Sequence, residues 1–385
     1  MLKNKTTYIL AILFSILFVP ACIDEYTPKI GNELSDILVV EGTISGGNNT
    51  VIKLSRSVTL SSEYTFNPVM GATVFVQRSD GWTSDLGVET LMGEYHIAMD
   101  ELDTSLSYNL VIHADGKEYQ SKPTKPLITS EIDSVSWKKK GDGEPVTIHV
   151  TAHDNGRDVG YYRWSYKEDW EITAPFFANG NLDIETKVFT PYFLNGLNTY
   201  YCWNKDSSRV LLLGDTEKLS GNLIYEKRLV SIDPFNDKIS YLYSILVKQW
   251  AVSKPAYHYL DNLQSNIDEA GSIFAPQPSE LKGNIECITS PGDAVIGYVD
   301  VATVAEKRLF ITEKEVRDSG RRNYQCTIKA VGSKYDAIDT MKVYGYYLLT
   351  GSEDMIEGQV TERRCVDCNL RGNKIKPHFW PNDHI

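Results

Sequence analysis

Short runs of β-branched and aromatic residues alternate with turn-forming residues along most of this chain. Residues 37–44 are mainly apolar, residues 45–49 are rich in glycine and asparagine, and residues 51–55 alternate apolar with polar side chains. Alternation with a period of two is typical of a strand that buries one face, and glycine beside asparagine favours a tight turn. The pattern therefore predicts a β-hairpin.

The same pattern continues to residue 126. Further short strands are predicted at residues 73–76, 93–97, 107–112 and 118–120, with a turn at Asp115-Gly116 before the last of them. Short, regularly spaced strands with turn residues between them are typical of two packed antiparallel sheets. We therefore expect a β-sandwich domain over residues 37–126.

A second β region follows. Residues 132–137 and 146–152 predict strands, and the alternation in the latter places Ile148, Val150 and Ala152 on one face. In the next strand, residues 161–166, Tyr162, Trp164 and Tyr166 share a face. An aromatic stripe of this kind could stack on sugars, but on a strand it more often belongs to the core, and we interpret it so.

Periodicity weakens between residues 167 and 227, where short apolar runs stand between polar stretches and predict long loops. Residues 241–252 predict a strand. A helix is expected after Ser253, which is a good N-cap, and it should end at Gly271. Further strands are predicted at residues 283–285, 295–302 and 307–312. The chain is thus expected to be mainly β, with residues 127–385 forming a larger β-rich domain that has one or two short helices.

The amino terminus has the composition of an export signal. Lys3 and Lys5 precede an uncharged stretch, residues 8–19, that is too short for a finished membrane-spanning helix. Pro20, Ala21 and Cys22 then resemble a bacterial lipobox, in which the cysteine is acylated and becomes the first mature residue. Residues 1–21 are therefore interpreted as a lipoprotein signal peptide and residues 22–36 as a tether, with an ordinary secretory signal or a short anchor helix as the alternatives.

The charge of the chain limits the partners. The net charge of −12 would become −14 without residues 1–21, which carry two lysines and no acid. An acidic protein of this kind is a poor partner for nucleic acid or for anionic lipid. Contact with a membrane is therefore expected only through the acyl chains of Cys22.

Five cysteines remain after Cys22, namely Cys202, Cys287, Cys326, Cys365 and Cys368. Thiols outside the cytoplasm tend to pair, which predicts two disulfides and one thiol left over, in a connectivity that spacing cannot decide. The Cys365-x-x-Cys368 spacing also occurs in redox and zinc sites. Neither a βαβ pattern nor a second Cys-x-x-Cys accompanies it, so a structural role is favoured.

Motifs of known catalytic chemistry are missing from the sequence, including a nucleophile elbow, a His-Glu-x-x-His helix and a phosphate loop. His149, His153 and Asp154 are the nearest approach to a metal site, and His258 with Asp261 could share one helix face. Both groups are interpreted as solvated faces. We therefore expect no catalytic residue, no metal and no cofactor.

Residues 37–126 resemble the transthyretin-like or carboxypeptidase-regulatory-like sandwich, with a generic immunoglobulin-like sandwich as the alternative. The resemblance rests on Pro68, on Gly71-Ala72-Thr73-Val74, on Gly93-x-Tyr95, and on Tyr108-x-Leu110 with Asp115-Gly116-x-x-Tyr119. It implies a spacer or docking module without catalytic activity.

The lipobox and the sandwich occur together with residues 161–164, residues 274–276 and 283–285, and the Cys365-x-Asp-Cys368 to Phe379-Trp380 ending. Through these features, nearly all of residues 22–381 resembles a family of Bacteroidota lipoproteins called domain of unknown function 4249. Asp24 and Glu25 resemble the signal that exports such lipoproteins to the outer face of the outer membrane. The resemblance implies a TonB-dependent receptor as partner and assigns no reaction. An extracellular hydrolase of glycan or peptide and a structural adhesin are the alternative functions.

Overall fold

The computed structural model describes residues 36–47, 49–58, 66–153, 160–192, 199–219, 221–269, 281–316, 325–352 and 357–382. Over these residues the protein is mainly β, as predicted, with 22 strands and four helices. The strands are β1 (Leu38–Gly46), β2 (Asn49–Arg56), β3 (Thr73–Arg78), β4 (Val88–Leu91), β5 (Glu94–Ala98), β6 (Tyr108–Ala114), β7 (Lys117–Ser121), β8 (Ile132–Lys138), β9 (Val146–His153), β10 (Tyr161–Thr173), β11 (Gly180–Leu182), β12 (Phe189–Pro191), β13 (Tyr201–Ser207), β14 (Leu212–Asp215), β15 (Leu223–Ile232), β16 (Leu242–Ala251), β17 (Ile285–Cys287), β18 (Val295–Gly297), β19 (Asp300–Thr312), β20 (Ile328–Val331), β21 (Tyr346–Thr350) and β22 (Gly358–Glu362). The helices are α1 (Lys254–Glu269), α2 (Glu313–Val316), α3 (Lys334–Tyr344) and α4 (Arg363–Val366).

One ten-stranded sheet, here called the long sheet, runs through most of the molecule. Its strands follow the order β13-β10-β16-β19-β1-β2-β5-β4, with β14 also paired to β10 and β18 to β1. Two smaller sheets pack against it, β17-β7-β6-β3 in the first sandwich and β15-β9-β8 in the second. Val301 of β19 lies in the first core, whereas Leu309 and Ile311 of β19 lie in the second. Because alternate residues of a strand share a face, both cores lie on the same face of the long sheet.

The first sandwich contains a late part of the chain. The hairpin of β1 and β2 forms as predicted, but β1 also pairs in parallel with β18 and β19, and β17 pairs with β7. Asn284 joins these segments, since its side chain exchanges two hydrogen bonds of 2.8 Å with the backbone of Val299. A Cβ on Gly283 would lie 1.8 Å from the carbonyl oxygen of Gly297, so only glycine permits this crossing. The sandwich is therefore not made of residues 37–126 alone.

The second sandwich buries the predicted aromatic stripe. Tyr162, Trp164 and Tyr166 are at most 8% exposed and pack in the core with Ile148 and Val150. The interpretation of these rings as core residues is confirmed. The indole N–H of Trp164 donates to the side chain of Gln249 at 2.8 Å, so the ring is buried without an unsatisfied donor.

The stretch predicted as long loops, residues 167–227, differs from the prediction. It contains the end of β10 and the strands β11 to β14, and β15 begins within it. Alternation is hidden here because polar side chains are buried on both faces of β10. Glu168 is 2% exposed and binds Lys238 and the Tyr243 hydroxyl, while Glu171 is fully buried beneath Trp380. Because these buried glutamates have hydrogen-bond partners, the strand tolerates polar residues at positions that are usually apolar, and its sequence resembles that of a loop.

A small third unit follows the long sheet. The sheet β20-β22-β21 and α3 enclose a separate core with residues of β11 and β12. Ser333 caps α3 by accepting a hydrogen bond from the N–H of Asp336, and Gly345 ends the helix with a φ of 64°. With α1, α2 and α4, the described helices number four rather than the one or two expected.

Two disulfides hold the carboxyl-terminal tail. Cys202 of β13 pairs with Cys368, Cys326 pairs with Cys365, and Cys287 is a buried free thiol. Two bridges and one remaining thiol were expected. The two cysteines of the Cys-x-x-Cys element thus bond to different partners, in agreement with a structural role. Among the described helices, none is both long and apolar enough to cross a bilayer.

Candidate ligand-binding groove

A groove of about 760 Å³ lies on the long sheet, on the face opposite the two cores. Its floor consists of outward-facing side chains of β1, β2, β5, β10 and β16. Helix α1 forms one wall, and residues 207–211 after β13 contribute to the rim. A volume in this range suits a small organic ligand.

Strand alternation decides which residues reach the groove. On β1, Leu38, Val40 and Ile44 point into the first core, so Glu41 and Thr43 point to the opposite face. On β10 the core positions are even-numbered, which turns Arg163, Ser165 and Lys167 outward in the same way. The polar half of each strand therefore builds the groove.

Arg163 lines the groove from β10, with its guanidinium over the ring of Trp250. The guanidinium carbon lies 5.2 Å from the centroid of the indole ring, and the indole N–H donates to Ser45 Oγ at 3.2 Å. Among the described residues, none accepts a hydrogen bond from this guanidinium and none forms an ion pair with it. Burial lowers the pKa of Arg163, while the charge of Glu41 acts in the opposite direction. A partly buried cation thus presents free donors to the groove.

The other charges of the groove are mostly paired. Glu94 holds Lys53 at 3.2 Å and His96 at 2.8 Å. Burial by itself would raise the pKa of Glu94, but hydrogen bonds from His96 and Lys53 outweigh it and lower the pKa. Five basic and two acidic side chains line the groove, so its charge is positive in an acidic protein. These side chains are Lys53, Arg163, Lys167, Arg209, Lys248, Glu41 and Glu94.

The wall made by α1 is apolar and aromatic. Tyr259 packs at 5.7 Å from Tyr298, and burial raises the pKa of Tyr259 to about 12. Leu260, Leu263 and Ile267 follow at helical spacing along the same wall. The groove therefore combines hydrogen-bond donors on its floor with a hydrophobic side.

The start of α1 is fixed by two contacts. Ser253 Oγ accepts a hydrogen bond from the N–H of Ala256 at 3.3 Å, as expected of the predicted N-cap. The backbone N–H of Ser253 donates to the buried carboxylate of Asp300 at 2.7 Å. Burial raises the pKa of Asp300, against the effect of this hydrogen bond. Asp300 thereby joins the helix to β19.

The lipidation site and export signal predicted from the sequence, Cys22, Asp24 and Glu25, lie outside the described residues, as does Gly271, the predicted end of α1. The lipidation and export assignments stay predictions.

The histidines singled out in the sequence lie apart from the groove. His153 Nδ1 lies 2.7 Å from Asp133, and the buried Nδ1 of His149 has no hydrogen-bond partner among the described residues. Burial lowers the pKa of His149. Asp154 is outside the described residues, and His258 is exposed on α1.

One cluster of three possible metal ligands occurs in the described part of the chain, formed by Cys326, Glu362 and Cys365. Its two sulfur atoms are joined in a disulfide, so neither is free as a thiolate ligand. A second, more open depression of about 530 Å³ lies beside the Asp115-Gly116 turn, and Lys117, which lines it, is paired with Asp293.

Sequence reasoning missed Arg163 and Trp250 as functional candidates. Both lie on strands that were predicted, and both occupy the face opposite the core. An arginine in the middle of an aromatic strand was the available signal. The pairing of β10 with β16, which places Arg163 across from Trp250, could not be read from one strand alone.

Fold and groove define a mainly β protein with a long sheet shared by two sandwiches and a basic, aromatic groove on its outer face. The chain belongs to the family described as Domain of unknown function (DUF4249), a model of which matches residues 23–308. This match confirms the family predicted from the sequence and contains every strand of the groove floor. Residues 309–385 lie beyond it. No curated protein matches this chain.

Proposed function

We propose that this protein is a lipid-anchored protein of the outer membrane that captures a ligand in its groove and serves a TonB-dependent receptor at the cell surface. Cys22 would carry the acyl chains, and Asp24 with Glu25 would direct export. The first sandwich would be a transthyretin-like docking module of a Bacteroidota lipoprotein. The protein would bind and not catalyse.

The observation that carries this proposal is the guanidinium of Arg163, which has no hydrogen-bond acceptor and no ion-pair partner among the described residues. A buried or partly buried cation without an acceptor is unfavourable, and binding sites retain such groups because the ligand supplies the missing partner. Trp250 holds the guanidinium in place through a stacking contact at 5.2 Å. The groove is therefore preorganised for a ligand before the ligand arrives.

Anchoring would place this groove close to the membrane. Residues 23–36 can span at most roughly 50 Å when fully extended. Confinement to that distance raises the local concentration of the protein beside a receptor in the same membrane. Transfer of ligand between the two would then need no free diffusion of the complex.

The anchor is tested by Cys22→Ser, expressed in the native host. Loss of the acylated sulfur should move the protein from the membrane fraction to the soluble fraction, because no other attachment is proposed. Mass spectrometry of the wild-type protein should find acyl chains on Cys22 as the first residue. A Cys22→Ser protein that stays with the membrane would refute the assignment.

An apolar strip at the edge of the long sheet supports contact with a partner. Leu86, Val88, Leu91 and Met92 are 61–68% exposed on and around β4, which ends the sheet. Edge strands offer unpaired backbone groups, and clustered apolar side chains there mark interaction sites. This strip is the surface that we assign to the receptor.

The receptor contact is tested by co-purification from detergent-extracted membranes. With the double variant Val88→Lys, Leu91→Lys, the amount of co-purified β-barrel receptor should fall about tenfold or more, because the introduced charges oppose burial of the strip. Ile375→Lys is the matched control, because Ile375 is 79% exposed but lies on the tail. Equal recovery of receptor with both variants would exclude β4 as the contact, and a receptor-free wild-type preparation would exclude the partnership.

A further inference from the structure

We infer that the ligand of the groove is an organic carboxylate with an apolar body, whose carboxylate binds Arg163 and whose body lies along α1. This inference rests on the proposed function, because it assumes that the groove is the ligand site. It adds the chemical class of the ligand and the direction in which it lies.

The donors of Arg163 select an anion of planar shape. A guanidinium presents its N–H groups in a rigid fork that matches the two oxygens of a carboxylate. The guanidinium carbon of Arg163 lies 5.2 Å from the centroid of the Trp250 ring and Arg163 lines the groove, so its N–H groups are available to a ligand there. Trp250 is itself held by Ser45, so the orientation of the fork is set in advance.

The number of free cations favours one carboxylate over a polyanion. Lys53 is paired with Glu94, Lys248 with Glu306, and Arg209 with Asp206. Arg163 and Lys167 are the basic lining residues that have no ion-pair partner within the described part of the chain. Glu41 adds a negative charge near Arg163. A phosphate ester or a nucleic acid would need a larger surplus of positive charge.

The wall made by α1 selects the body of the ligand. Leu260, Leu263 and Ile267 line the groove on one side, and Val210 lies on its rim. Ile267 and Val210 are 62% and 63% exposed, so they are available to an apolar ligand. Covering such side chains is favourable in proportion to the apolar area removed from water. A carboxylate on the floor and an apolar body along α1 would use both features together.

Two sources share this chemistry, a medium-chain fatty acid and a short apolar peptide with a free carboxyl terminus. The experiment uses octanoate, octanamide, the tripeptide Leu-Leu-Leu and its carboxyl-terminal amide as probes. Binding is measured by isothermal titration calorimetry on the full-length lipidated protein in nanodiscs, with empty nanodiscs subtracted. At least one acid should bind, and its neutral amide should bind about 10- to 100-fold more weakly. Binding of octanoate would indicate a fatty acid as the source, and binding of Leu-Leu-Leu would indicate a peptide.

Variants separate the two parts of the inference. Arg163→Gln should weaken binding of the acid about 10- to 100-fold and abolish the difference between acid and amide. Leu263→Ala should weaken acid and amide alike, because it shortens the apolar wall. Arg78→Gln is the matched control, since Arg78 also lies over a tryptophan, Trp82, at 4.9 Å but is outside the groove and paired with Asp80. Circular dichroism confirms that each variant is folded.

The outcomes distinguish this inference from the proposed function. Acid and amide could bind equally, with Leu263→Ala weakening both and Arg163→Gln weakening neither. The ligand would then not be recognised by its carboxylate, and the groove would remain the ligand site. If no probe binds, the ligand class is wrong, and the proposed function is judged by co-purification of the receptor. If Arg78→Gln has the effect expected of Arg163→Gln, the assignment of the carboxylate to Arg163 is wrong.

Discussion

Asp300 shows how one buried side chain can link two parts of this fold. Its carboxylate is 3% exposed and accepts hydrogen bonds from the backbone N–H groups of Ser253, at the start of α1, and of Val301. Burial nevertheless dominates and raises the pKa of Asp300 above its ordinary value of 3.8. The folded state therefore holds the proton of Asp300 more tightly than the unfolded state does.

A pH-dependent effect on stability follows for Asp300→Asn. Because the folded pKa is raised, Asp300 favours folding at low pH, and this contribution is lost as pH rises from 3.8 through the folded pKa. Asparagine keeps a carbonyl acceptor and does not ionise. The melting temperature of the variant relative to wild type should therefore increase between pH 3 and pH 7, measured by differential scanning fluorimetry.

Asp80→Asn provides a control of opposite sign. Arg78 holds the pKa of Asp80 below 3.8, with help from the N–H of Trp82. Asp80 thus favours folding above its ordinary pKa, and that contribution is lost as pH falls through the folded pKa. The relative melting temperature of Asp80→Asn should decrease over the same rise in pH. If the difference in melting temperature between Asp300→Asn and wild type did not change with pH, a raised pKa of Asp300 would be excluded.

At the scale of elements, two disulfides hold the tail: Cys202–Cys368 attaches it to β13 of the long sheet, and Cys326–Cys365 attaches it to the segment before β20. Cys202 and Cys368 are 166 residues apart in sequence, whereas Cys326 and Cys365 are 39 apart. Beyond Cys368, the indole N–H of Trp380 donates a hydrogen bond to Glu171 at 2.9 Å, and the guanidinium of Arg308 lies over the ring of Phe379 at 3.5 Å. The tail thereby covers a part of the outer face of the long sheet that does not belong to the groove.

Removal of each disulfide should destabilise the protein according to the loop that it closes. The double substitution Cys326→Ser, Cys365→Ser should lower the free energy of unfolding by about 4 kcal/mol, and Cys202→Ser, Cys368→Ser by roughly 1 kcal/mol more. Urea denaturation monitored by tryptophan fluorescence measures both. Cys287→Ala is the control, because Cys287 closes no loop. If all three variants lost the same free energy of unfolding, the length of the closed loop would not explain the stabilisation.

At the scale of the whole molecule, β19 makes the two sandwiches depend on each other. Its first residues contribute to the first core and its later residues to the second. One strand with thirteen residues thus belongs to both hydrophobic clusters. Loss of either core would expose half of this strand, which couples the unfolding of the two.

We therefore expect one cooperative unfolding transition over the described sandwiches. Trp82 packs against the first core, so the measurement uses a Trp82→Phe background, in which tryptophan fluorescence reports on the second core through Trp164 and Trp170 while reaction of the thiol of Cys287 reports on the first. The midpoints in urea should coincide. Leu110→Ala, in the first core, should lower the free energy of unfolding by about 2–5 kcal/mol and shift both midpoints together. Labelling of Cys287 at a lower urea concentration than the fluorescence change would show independent sandwiches.

The sequence by itself determined the strands whose two faces differ in polarity. The hairpin of β1 and β2, the alternation of β9 and the buried stripe of β10 were predicted because a half-buried strand requires a period of two. The same alternation already turned Arg163 to the face opposite Tyr162 and Trp164. The N-cap Ser253 and the number of cysteine bridges were also available from local chemistry and compartment.

Only the tertiary structure decided which strands lie side by side. The parallel pairing of β1 with β19, the partners of each cysteine and the approach of Arg163 to Trp250 all join residues far apart in the chain. Residues 167–227 appeared to be loops because Glu168 and Glu171 acquire their hydrogen-bond partners only in the folded state. Periodicity reports which face of a strand is buried, whereas a groove depends on the neighbours that long-range pairing brings to that face.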